Sequence, residues 1–206
     1  MLGDSTCKHR ERQVMFLDFR SRGEINGPQP DAPRDDGLNE SVRFMRIGEI
    51  LDPSCVFLDL PAGDKSAVLR AMTDRLERLG QIHDSAAIHQ LLMEREGLMT
   101  TGVRRGFAFP HAFNANIESS FLSLGAVADG VDFQSLDGEP VYFVFLLLGP
   151  PNNQAMHLRI LARVSRLTGQ SDMLQELRAA RTLEEFLEVM RDSEQRLMAF
   201  PHGSSS

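Results

Sequence analysis

Tryptophan is absent from these 206 residues, tyrosine occurs once, and the only two cysteines, Cys7 and Cys55, stand in unlike surroundings. Cys7 lies in a polar stretch and Cys55 in an apolar run, so no disulfide framework is expected and a reducing cytoplasm suits the chain. There is no basic excess either. The formal net charge is −7, the opposite of the footprint a nucleic-acid-binding surface leaves. Long apolar runs are missing too. The best, residues 141–148, is well short of the roughly 20 residues a bilayer span needs. The N-terminal MLGDSTCKHRERQ lacks the apolar centre of a signal peptide. These absences point to a soluble cytoplasmic protein with no direct membrane insertion and no nucleic-acid partner.

What is present suits one globular domain with a tail. Hydrophobic residues make up 42% and charged residues 25%, an ordinary balance for a folded domain with a sizeable core. Residues 1–44 have little apolar periodicity, and SRGEINGPQPDAPRDDGLNE (21–40) is dense in Gly, Pro, Asp and Asn, so the tail is expected to be disordered. Its seven basic residues against eight acidic ones exclude a polybasic anchor. Met45, just before the ordered-looking Arg46-Ile47-Gly48, is a candidate physiological start, with residues 1–44 then an upstream misreading. The domain is expected over 45–194, with 195–206 frayed.

Within the domain, a short helical turn and an extended piece around Cys55 come first, with Cys55 as a small core residue. The spacing of Val68, Leu69, Met72, Leu76 and Leu79 predicts a helix over 64–80, capped by Asp64 and closed by Gly80. A second helix, 84–97, turns Ile88, Leu91 and Leu92 inward. Arg95 follows Ile88 by seven positions, which predicts the same face. A guanidinium there must be paired, snorkel to water or meet a ligand. His83 and His89 carry no assigned role.

A short strand, Phe107-Ala108-Phe109, is followed by Pro110 and His111. Proline fixes its own φ and restrains Phe109 to an extended conformation, so His111 is delivered rigidly to a loop. It can be a nucleophile, an acid or base, a metal ligand or a strand-end residue bonded to backbone. Strands are expected at 121–128 and 131–134, a turn at Asp137-Gly138, and a central strand at 140–148, covered on both faces. Tyr142 is a packing residue. Asn152 or Asn153 can cap a helix running to about Leu167, with Leu158, Leu161, Val164 and Leu167 inward. His157 heads its core-facing side in the first turn, where free N–H groups and the helix dipole lower proton affinity and attract an anion. Helices at 172–179 and 182–191 follow, the latter opened by a capping box of Thr182 and Glu185.

Arg95, His111 and His157 with no catalytic carboxylate or conspicuous thiol make an odd set for hydrolysis. They suit a phosphoryl group carried on nitrogen: one imidazole as nucleophile, the other as hydrogen-bond donor, and the arginine balancing charge. A metal site on His111 and His157 lacks a third ligand.

The stretch REGLMTTGVRRGFAFPH (95–111), the following hairpin and long apolar strand, and PNNQAMHLRILARVSRL (151–167) resemble the type-2 EIIA domains of the phosphoenolpyruvate-dependent phosphotransferase system, in the fructose, mannitol and nitrogen-regulatory branch. The resemblance spans about 45–193. It implies an α/β (α+β type) fold, a mixed sheet of four to five strands flanked by helices. It implies a phosphotransferase component with His111 as phosphoryl acceptor, His157 supporting the phosphohistidine, and Arg95 and Thr101 at the phosphate. It implies no cofactor and no metal. The donor would be an HPr-like histidine-phosphorylated carrier protein, and the acceptor a IIB domain, unless the protein is a stand-alone regulator of a kinase or transporter. With no IIB or membrane portion in the sequence, the nitrogen-regulatory type is favoured over a sugar-transport component. A regulatory binding module with a vestigial site is the alternative. Arg104, Arg105 and Ala112 depart from the glycines usual near those places, which raises the prospect of extra charge at the phosphate and a hindered partner approach.

Overall fold

The computed structural model describes residues 46–103 and 105–199; the expected tail and Met45 start fall outside them. The elements run α1 (Ile47–Ile50), β1 (Leu51–Phe57), α2 (Lys65–Arg78), α3 (Ser85–Leu98), β2 (Phe107–Ala108), β3 (His111–Phe113), β4 (Phe121–Val131), β5 (Val141–Gly149), α4 (Gln154–Thr168), α5 (Met173–Ala179) and α6 (Leu183–Ala199).

β5 is the centre, as its apolar run predicts. β4 pairs with one side of it in antiparallel register, and β1 lies parallel to β4 beyond. The other side of β5 is taken in turn by β2 and β3, both parallel to it. Side-chain alternation along β5 divides the interior into two cores. Val144, Leu146 and Leu148 meet Val68, Leu69, Met72, Leu76, Ile88 and Leu92 of α2 and α3. Phe143, Phe145 and Leu147 meet Ile160, Val164, Leu167, Phe186 and Met190 of α4 and α6. The result is a mixed five-stranded sheet with helices on both faces. Cys55 is buried in the first core, and burial raises its thiol pKa.

Local signals set several boundaries. Asp64 Oδ1 accepts from the Ala67 N–H at 2.7 Å and Asp84 Oδ1 from Ala87 at 2.8 Å. At the start of α6, Glu185 accepts from the Thr182 N–H while the Thr182 hydroxyl accepts from the Glu185 N–H, the expected capping box.

The structure corrects other expectations. Leu79 and Leu158 are 46% and 67% exposed. Leu79 lies at the C-cap of α2, where the chain turns away. The buried line of α4 is His157, Ile160, Val164 and Leu167, and Leu158 sits about 100° round the helix from it. Asn153 occupies the N-cap of α4 without a side-chain cap bond. β4 continues through Gly130 (φ 75°) to a closing pair, Val131 with Val141; residues 132–134 leave the ladder instead of forming a second strand. The turn is there, with Gly138 at φ 73° donating to the Ser135 carbonyl. α6 runs eight residues past 191 to Ala199, where fraying was expected from residue 193. Its last turns are held because Glu194, 6% exposed, accepts from the Ile47 N–H at 2.8 Å and pairs with Arg163 at 3.0 Å.

Candidate functional site

The edge beside β5 breaks at Phe109-Pro110, and that break makes the site. Ala108 pairs with Val144, and His111 resumes the pairing at Leu147. Between them, the Phe109 N–H turns away to the Thr101 carbonyl at 3.0 Å, and the Pro110 carbonyl accepts from Leu147. His111 therefore opens β3 and does not enter a loop. Its pairing with Leu147, and that of Phe113 with Gly149, sets both side chains on the sheet face covered by α4.

His157 meets them there. It lies in the first turn of α4, its N–H bonded to the Asn153 carbonyl at 3.2 Å. Its ring centroid is 5.7 Å from that of His111 and 4.3 Å from that of Phe113. The two imidazoles differ in setting. His111 is half-buried, and its Nδ1 is 2.9 Å from the Phe109 carbonyl. A carbonyl only accepts, so Nδ1 carries the proton and, in the neutral ring, Nε2 keeps its lone pair. His157 is 1% exposed. Burial first, and the neighbouring His111 second, lower its pKa to about 4, so it is neutral at physiological pH. Neither of its ring nitrogens has a hydrogen-bond partner among the described residues.

Arg95 is half-buried at the end of α3, and its Nη1 donates to the Met99 carbonyl at 3.3 Å. The residue that faces fully inward is its neighbour Glu96, 6% exposed. The sequence signal for it was the every-fourth line Ile88, Leu92, Glu96, which sequence reasoning missed. Glu96 accepts from both the amide and the hydroxyl of Thr101 and pairs with Lys65 Nζ at 3.2 Å. The Thr100 hydroxyl donates to the Phe133 carbonyl at 2.6 Å. The Thr-Thr-Gly segment is thus pinned from below, and the Thr101 carbonyl in turn holds Phe109 beside His111.

Of the three departures, Arg104 falls outside the described residues, and the other two are turned away from the imidazoles. Arg105, at φ 59°, donates through its N–H to Asp137 and through Nη1 to the Gly169 carbonyl at 3.0 Å. Gly169 is the C-cap of α4, about 20 Å along that helix from its N-terminus. Ala112 is buried in the core under α2 and α3, on the opposite face from His111, so its methyl does not stand in a partner's way there. Among the described residues, no group of three or more His, Cys, Asp or Glu side chains could hold a metal ion.

The sequence profile of the family described as phosphoenolpyruvate-dependent sugar phosphotransferase system, EIIA 2, matches residues 49–193. A nitrogen regulatory protein of Bradyrhizobium diazoefficiens is 34% identical over 147 residues, 71% of this chain and 95% of that protein. A fructose-specific EIIABC component of Bacillus subtilis is 29% identical over 146 residues, and there the match spans 71% of this chain but 23% of the longer protein. The crystal structure of the nitrogen regulatory protein IIA-Ntr of Neisseria meningitidis superposes with a TM-score of 0.65 at 30% identity, covering 70% of this chain and 98% of that one.

Proposed function

The chain belongs to the EIIA 2 family of the phosphoenolpyruvate-dependent sugar phosphotransferase system, and from that premise we propose that it carries a phosphoryl group on Nε2 of His111. One observation supports this reading above the rest: Nδ1 of His111 is engaged by the Phe109 carbonyl, leaving Nε2 as nucleophile, with a second, neutral imidazole beside it.

In the step itself, the Nε2 lone pair attacks phosphorus on the phosphohistidine of an HPr-like carrier protein. The Nε2–P bond forms as the carrier's N–P bond breaks, and the carrier's imidazole leaves with that bonding pair. The proton on His111 Nδ1 stays in place. The Phe109 carbonyl accepts from it more strongly as the ring gains positive character. His157, kept neutral by burial, donates its one N–H to a phosphoryl oxygen. Arg95, near the end of α3, supplies a cation to balance the phosphoryl charge, and Thr101 acts at the phosphate through the loop that follows α3, its hydroxyl being committed to Glu96. Transfer onward reverses these roles toward a IIB domain, or the phosphorylation state is read by a regulated kinase or transporter.

The nitrogen-regulatory type is preferred to a sugar-transport component because two nitrogen regulatory relatives are 34% and 30% identical, against 28% for a fructose-specific EIIA component aligned over 95% of its length. No helix among the described residues is long and apolar enough to cross a membrane, and we place the protein's action in the cytoplasm. Incubation with phosphoenolpyruvate, the system's first enzyme and its carrier protein tests the proposal. An acid-labile, base-stable phosphate should appear on the wild type and not on His111→Ala. Partner binding that is independent of phosphate and unchanged in His111→Ala would favour the regulatory binding module instead.

A further inference from the structure

Two buried polar groups lack a partner among the described residues at one spot beside the site. They are the Ser120 hydroxyl and the ring of His157. Ser120 immediately precedes β4. The antiparallel register Phe121 with Leu148, extended by one residue, sets it opposite Gly149, and Phe113 pairs with Gly149 from the other side. Ser120, Gly149 and Phe113 thus form a row across three chain segments, with the His157 imidazole lying over its middle. Gly149 makes that possible. A Cβ there would stand 2.4 Å from Ser120 Oγ and 3.3 Å from His157 Nδ1. The glycine leaves a small space with the hydroxyl on one side and Nδ1 on the other.

Resting on the phosphocarrier reading, we infer that Ser120 is a positioning residue: a rotation of its side chain into the gap left by Gly149 lets its hydroxyl donate to Nδ1 of His157 and so fixes the proton of that imidazole on Nε2. The chemistry requires this direction. A neutral imidazole has one N–H and one lone pair. If Nδ1 held the proton, Nε2 could only accept, and it would repel a phosphoryl oxygen. A serine hydroxyl can donate or accept; donating to Nδ1, it selects the other tautomer. It also satisfies two buried groups that otherwise each cost desolvation. No bond forms or breaks covalently, and no proton is exchanged with the phosphoryl group.

The test is 15N NMR of the imidazole nitrogens in histidine-labelled protein, with Ser120→Ala and Ser120→Thr beside the wild type, each checked for folding by circular dichroism. The expected result is His157 protonated on Nε2 in the wild type and shifted toward the Nδ1–H tautomer in Ser120→Ala, with Ser120→Thr, which keeps the hydroxyl, restoring the first state. The half-life of phosphorylated His111 should shorten about fivefold in Ser120→Ala, the size of one neutral hydrogen bond. A wild-type His157 protonated on Nδ1, or a tautomer unchanged in Ser120→Ala, overturns the assignment. Because the tautomer is read without phosphate, failure of every variant to accept a phosphoryl group sinks the carrier reading alone.

Discussion

His157 is a base that the fold keeps from protonating. Its pKa in the folded protein is about 4 against an ordinary 6.5, so between those values the unfolded chain binds a proton that the folded one refuses. Stability therefore rises with pH through this window, and its penalty is fully present below it. Urea denaturation at pH 7 and pH 4.5 should show the wild type losing more stability on acidification than His157→Gln, by about 2 kcal/mol. Equal losses would contradict the assignment of this titration to His157. Phosphorylation places a dianion beside the ring and must raise its proton affinity, which an NMR titration of the phosphorylated protein reads directly. Arg95 invites a different substitution. Among the described residues its guanidinium makes one hydrogen bond, to the Met99 carbonyl of its own helix end, so Arg95→Ala should leave thermal stability within about 0.5 kcal/mol while slowing phosphoryl acceptance about tenfold, the scale of one charged hydrogen bond. A stability loss as large as the rate loss would make Arg95 structural.

At the scale of elements, the site depends on a loop held by a buried carboxylate. Glu96→Ala takes the acceptor from the Thr101 amide and the carboxylate from the Lys65 ammonium, which keeps the Gln134 side-chain oxygen; this should cost about 3 kcal/mol. Glu96→Gln keeps an acceptor and should cost less. Chemical denaturation of the two variants checks the order; equal costs would mean that packing, not charge, holds the loop. This element also shows what sequence can and cannot disclose. The caps at Asp64 and Thr182 were legible because each bond closes within three residues. β5 was legible because a run that is apolar on both faces has few other places to go. Glu96 was overlooked because an acid on an apolar ladder becomes intelligible only once Lys65, 31 residues earlier, is seen to face it. The full length of α6 was hidden for the same reason: Glu194 is held by Ile47, 147 positions away. Pro110 was read correctly as a rigid spacer, but not the strand that follows it, because the β3 pairing partner lies on β5.

For the whole molecule, the question is how two histidines far apart along the backbone come to lie side by side. The sheet brings His111 to the edge of β5 at Leu147, and the turn after Gly149 starts α4 over the same face. The two residues could be singled out from sequence, partly from residue types and partly through the family resemblance. Their distance could not, since it depends on register. Nor could the harmless placement of Arg105 and Ala112, whose positions follow from the α4 C-terminus and the far core. The central claim is that Nε2 of His111 takes the phosphoryl group while Nδ1 keeps its proton on the Phe109 carbonyl. Phosphorylating 15N-histidine-labelled protein with the carrier system and recording 31P and imidazole 15N spectra measures this. The account predicts a single phosphohistidine bonded through Nε2 with Nδ1 still protonated; a phosphate on Nδ1, or an equal yield in His111→Ala, would contradict it.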